Sequence, residues 1–163
     1  MSRPKCEFFW WRVLNEYLPT RQIPFRKHVE PLQFCEVCGF PEESIKHVLT
    51  ECTIAKMFWH DIKQLTGTKM PALHPLSWAS DILCPEVCSD KDRCLLIISM
   101  YTLWSQRNKR RHGEDQVPIR AAVQWAVDLG INSVIKGRFF IRLLSLVAIN
   151  ASFTFSIMLS HIS

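Results

Sequence analysis

The chain has 163 residues, of which 48% are apolar and 21% charged, and its formal net charge is +5. That length holds one domain, or one domain with an appendage, and the apolar share excludes a disordered chain and predicts a packed core. The charge is modest but uneven: Arg107, Lys109, Arg110 and Arg111 stand together with no acid among them, a block suited either to phosphate backbones or to the negative end of a helix dipole.

Offsets of apolar residues predict a first helix from Glu7 to Leu18, with Trp10, Val13, Leu14, Tyr17 and Leu18 on one face and Pro19-Thr20 as the stop. Residues 21–34 mix proline, charge and isolated apolar positions, which suits an irregular connector or a short helix around Pro24 to Val29. Ile54, Met57, Phe58, Ile62 and Leu65 then repeat the helical offsets until Gly67. Thr68 to Pro85 reads as a connector with a turn of helix near Trp78 to Leu83.

A third long helix is expected from about Lys91 to Arg111, apolar on every side in its first half, and therefore buried there. A fourth begins at Pro118, presents Ile119, Ala122, Val123, Ala126 and Val127 on one face, and is expected to stop at Gly130. The apolar stretch from Leu143 to Leu159 falls short of the about 18 to 20 residues of a spanning helix, so burial or strand pairing is expected rather than membrane contact. These elements divide the chain into a first part at 6–66, a connector at 67–90 and a helical C-terminal region at 91–163. The fold class is mainly α: a small helical domain with an irregular knot between helices, plus C-terminal helices.

Seven cysteines make an odd count, and Met1 to Lys5 lead into an aromatic stretch rather than a secretory signal. We therefore expect an intracellular chain, nuclear or cytoplasmic and not secreted, whose thiols are free or metal-bound rather than paired. Asn150-Ala151-Ser152 fits the glycosylation acceptor pattern, but without a secretory signal it carries no weight.

The chemistry lies between the first two helices. Cys35-Glu-Val-Cys38-Gly39, then His47 and Cys52, form a Cys-x2-Cys-x8-His-x4-Cys set. Two thiolates on a tight turn can point at one ion, and four such donors close a tetrahedral shell that suits one structural Zn2+ with no position left for catalysis. The competing reading has no metal and makes Cys38 and Cys52 buried thiols, Cys35 a surface one and His47 a polar helix residue; within the zinc reading His60 is an alternative to His47 as fourth donor. Cys84, Cys88 and Cys94 lack a nearby fourth ligand and read as core or surface cysteines.

Phe8-Phe9-Trp10-Trp11-Arg12-Val13-Leu14, Leu18-Pro19-Thr20-Arg21, Cys35-Glu-Val-Cys38-Gly39 and Glu43-Ser-Ile-Lys-His47-Val-Leu-Thr-Glu-Cys52 occur in this order. Together they resemble the zinc-binding domain that follows reverse transcriptase in plant non-LTR (LINE-type) retrotransposons, over about residues 6 to 66. Leu103-Trp104-Ser-Gln-Arg107-Asn108-Lys109 resembles the segment that follows this domain, ahead of ribonuclease H, in such polyproteins. No acidic catalytic set of a ribonuclease H and no polymerase aspartate pair stands in the sequence. The resemblance implies a zinc-stabilised accessory module beside reverse transcriptase or ribonuclease H domains.

Three functions follow as expectations. The module holds RNA or DNA through Arg107, Lys109, Arg110 and Arg111, with Arg21, Arg26 and Lys27 as further phosphate contacts and Trp10 or Trp11 stacking on bases if exposed. Alternatively it bridges two domains and touches no nucleic acid. An enzyme is the least expected, because the zinc shell is full and no nucleophile, base and orienting group stand in a recognisable arrangement.

Overall fold

A computed structural model describes residues 4–22, 26–27 and 32–135. Helix α1 (Pro4–Leu14) buries Cys6, Phe9, Trp10 and Val13, the i, i+3, i+4, i+7 set that forms one stripe at 3.6 residues per turn. It ends four residues before the expected Leu18. The cause is local: Glu16 takes φ 54°, and Tyr17 N–H and Glu16 N–H return to the carbonyls of Arg12 and Val13. This is a Schellman stop that satisfies the last carbonyls. Leu18 is still buried, so its apolar character serves the core without belonging to the helix.

Four further helices follow among the described residues: α2 (Thr53–Thr66), the single turn α3 (Trp78–Asp81), α4 (Asp90–Arg111) and α5 (Ile119–Ile135). A π-helical turn, His47–Glu51, precedes α2. There is no strand among the described residues. Ser89 caps α4 by accepting the Asp92 N–H on its hydroxyl, which satisfies one of the orphan donors of the first turn. Gly67 closes α2 at φ 75° with its N–H on Lys63 O, a left-handed stop at which a side chain would be strained.

Helix α4 is the axis of the molecule. Residues 93–100 are all buried, and α1, α5 and the π turn each pack on α4, while α2 packs on α5 and the π turn. One hydrophobic core runs from Cys6 to Val127, and the connector joins it through fully buried Ile82. Arg93, also buried, donates to the carbonyls of Ile82 and Cys88 at 2.9 and 2.8 Å and to Asp90 at 3.1 Å. It ties the connector to the start of α4.

Helix α5 does not stop at Gly130 but runs on to Ile135. A Cβ built at Gly130 would lie 3.0 Å from Leu95 Cδ1. The glycine is therefore a packing residue, present because α4 and α5 approach closely there, and the tertiary contact outweighs its poor helix propensity. The expected short helix around Pro24 to Val29 falls largely outside the described residues, and the apolar stretch 143–159 lies wholly outside them. Among the described residues no helix is long and apolar enough to cross a membrane.

Candidate metal centre

The site is assembled by two local turns. In the first, Gly39 N–H bonds to Cys35 O and Cys35 N–H to Phe40 O, both at 2.9 Å, with Gly39 at φ 72°. A left-handed residue is what folds the backbone under the two cysteines. In the second, Cys52 N–H bonds to His47 O at 2.8 Å, five residues back. On a regular α-helix five residues rotate a side chain by about 140° from its origin, too far to share a ligand. The wider π turn reduces that angle, so His47 and Cys52 face the same point.

Cys35, Cys38, His47 and Cys52 place their donor atoms all within 4.8 Å of one another. Cys35 Sγ is 3.8 Å from Cys52 Sγ, and Cys38 Sγ is 3.3 Å from His47 Nε2. Bonds of about 2.3 Å to sulfur and about 2.0 Å to nitrogen give tetrahedron edges of about 3.8 Å for S–S and about 3.5 Å for S–N. Both of these edges lie close to the expected values, and with all donors within 4.8 Å of one another the four could share one ion.

The electrostatics differ among the donors: they favour ligation by His47 and Cys38 and oppose an ionised Cys52 until a cation arrives. Burial is the main cause holding the His47 imidazole below its ordinary value, against the raising influence of Glu51 and Glu43. It is therefore neutral and able to donate a lone pair. Burial pushes the Cys52 thiol up to about 12, although Ile54 N–H bonds to its sulfur. Cys52 is the N-cap of α2, where backbone N–H groups favour a thiolate once a cation arrives. For Cys38, the most exposed of the four, partial burial acts upward. The Phe40 N–H, the Cys35 and Cys52 thiols and the Thr53 N–H overcome it and hold the thiol below its ordinary value.

One feature departs from the usual zinc histidine. His47 Nδ1 is buried and has no hydrogen-bond partner among the described residues, whereas the second nitrogen of a ligating imidazole normally donates to a carboxylate or carbonyl. The ring is positioned instead by Phe40, stacked on it at 4.8 Å and 12°, and by the backbone, His47 N–H bonding to Ser44 Oγ at 3.0 Å.

Residues 1–59 match the family model described as zinc-binding in reverse transcriptase. This part of the chain is similar to the zinc-binding domains found with reverse transcriptases. All four donors fall inside the matched residues. No curated protein and no solved structure matches the chain. The matched segment does not pack alone: α4 and α5 complete the core on which α1 and the π turn rest.

The structure separates the members of the basic block. Arg107 points inward: it pairs with Glu43, donates to Pro19 O at 3.2 Å and lies 5.1 Å from the Trp104 ring. At 7% exposure its charge serves the interior and cannot reach a phosphate. Lys109, Arg110 and Arg111 form the last turn of α4, with Arg110 bonded to Gln116 at 3.1 Å. The Arg111 guanidinium is lowered by burial and then by the charge of Arg21, so Arg21 adds to the same positive area. Arg21 also pairs with Glu36, and Arg26 with Glu42. His60 is exposed and is not part of the donor cluster. Cys88 and Cys94 are buried, and half-buried Cys84 donates to Glu86 at 2.8 Å. These three form no donor cluster among the described residues.

Sequence reasoning missed Glu43. It accepts from Arg21 N–H as well as from Arg107, while its own N–H bonds to Gln33 O. Only a partner 64 positions away reveals that an acid and a cation, each ordinary in its own segment, are a buried pair.

Proposed function

We propose that the chain is a non-catalytic accessory module of a retrotransposon reverse transcriptase, structured by one zinc ion, and that it holds RNA or DNA close to the enzyme. The observation that carries this reading is the convergence of four protein donors on one point inside the segment matched to the reverse-transcriptase zinc-binding family. A shell filled by protein leaves the metal no position for substrate, so its work is to fix a knot that has little apolar core of its own.

The nucleic-acid part rests on the basic end of α4, where Lys109, Arg110 and Arg111 are each half-buried. Lys109, Arg110 and Arg111, with Arg21 beside them, offer cations where the helix also ends. A helix C-terminus is complemented by such residues without any ligand, so the measurement is the salt dependence of affinity. For single strands each phosphate neutralised contributes about 0.7 to the slope of log K against log salt. Lys109→Ala/Arg110→Ala is expected to make that slope shallower by about 1.4 and to leave zinc content unchanged. No binding of the wild-type chain at low salt removes the nucleic-acid part.

A second reading, contact with an adjoining protein domain, is favoured by a cleft of about 510 Å³ between α2, α4 and α5. Leu65 and Ile131 on its rim are 58% and 53% exposed, apolar surface of the kind that protein partners cover.

A further inference from the structure

Helix α1 carries a second set of rings besides those it buries. Phe9 and Trp10 are in the core, but Phe8 is 59% exposed and Tyr17, just past the helix, 61%. Trp11 stands between them, half-buried. The Phe8 and Trp11 centroids are 5.8 Å apart with planes 16° from parallel, and Trp11 and Tyr17 are 5.6 Å apart at 57°. The three rings thus form one continuous row. Into it reaches Arg12, whose guanidinium carbon lies 5.8 Å from the Phe8 centroid and whose Nη2 donates to Tyr17 O at 3.1 Å. Among the described residues Arg12 forms no ion pair.

We infer that the row Phe8, Trp11 and Tyr17 is a stacking platform for unpaired bases of a single-stranded nucleic acid, with Arg12 taking a phosphate between them. The inference rests on the nucleic-acid reading above and adds a surface distinct from the end of α4. Each base has a π face that an exposed ring can meet, and in a duplex those faces are hidden, so such a row selects single strands without selecting sequence. Charge argues against a dry protein contact. A partner closing over the rings would bury Arg12 with no carboxylate paired to it among the described residues, which is costly, whereas the phosphate beside a stacked base supplies the counter-charge.

The test uses the full zinc-loaded chain and two labelled oligomers of equal length and phosphate number, an oligouridylate RNA and its abasic counterpart, followed by fluorescence anisotropy. The wild type is expected to bind the base-bearing oligomer more tightly than the abasic one. Phe8→Ala/Tyr17→Ala, which removes exposed rings only, is expected to lose on the order of tenfold in affinity per ring and to bind both oligomers alike. Arg12→Gln is expected to lower the salt slope, and zinc content reports that each variant is folded. Equal binding of both oligomers by the wild type, or full affinity in the ring variant, overturns the platform while leaving the nucleic-acid reading in place. Failure to bind either oligomer overturns both. Self-association of the wild type that disperses in the ring variant, with RNA affinity unchanged, assigns the row to a protein contact and also overturns it.

Discussion

Removing the metal is expected to unfold residues 32–52 and to loosen α1 and α2 with them. Structural zinc contributes on the order of 10 kcal/mol in small metal-dependent folds, comparable to the whole stability of a typical domain. The knot has no regular ladder to replace it: its backbone is held by two tight turns and a few long-range bonds such as Glu43 N–H to Gln33 O. Circular dichroism during titration with a chelator should therefore show loss of helix in step with zinc release, and retention of the full signal in metal-free protein would contradict this.

Acid is expected to act in the same direction, because protons compete for all four donors. The metal-free chain has its own pH window. The folded His47 lies below its ordinary 6.5, so its contribution is present above that pH and is lost as pH falls and the buried ring must charge. Cys52 is raised from 9.0 to about 12, so its contribution is present below 9.0 and is lost as pH rises toward about 12. The folded fraction of the metal-free chain, small once zinc is lost, is expected to be highest between these limits, and zinc to widen the window upward by holding the thiolate.

The second large effect belongs to Arg107 and Glu43. Their side chains are 8% and 6% exposed, and removing one partner of such a pair leaves a buried charge at a cost of about 3 to 5 kcal/mol. Arg107→Met is expected to lower the stability of the zinc-loaded chain by that amount in urea unfolding, and also to weaken zinc retention, since Glu43 adjoins Ser44, whose hydroxyl holds His47 N–H. Arg107→Met/Glu43→Leu is expected to recover most of the loss, because two apolar groups can replace a buried pair. A loss below about 1 kcal/mol, the range of an exposed pair, would show that the pair is solvated.

The elements that sequence made legible are those whose signal is local. Periodicity located α2 and α4 to within a residue or so, and the ligand spacing singled out four donors that the fold brings within 4.8 Å of one another, because a tight turn and a short helical segment gather them locally. What sequence hid depends on distant partners. Arg107 stands in a block of cations in the chain, yet Glu43 and Pro19 draw it inside. Gly130 had the signature of a stop, but Leu95 across the helix interface gives it a packing role. Glu16 carries no turn signal, yet it ends α1 in place of the proline beyond it. The helical offsets set Trp10 on the core face of α1 and left Trp11 off it, but they placed Tyr17 on that face too, whereas the stop after Leu14 leaves Tyr17 exposed beside Trp11.

X-ray absorption at the zinc edge of the purified chain tests the metal centre most directly. The account predicts one equivalent of zinc with three sulfur neighbours near about 2.3 Å and one nitrogen near about 2.0 Å, and loss of a sulfur or of the metal itself in Cys38→Ser. A wild-type shell with fewer than three sulfurs, or a folded chain that retains no zinc, would contradict it.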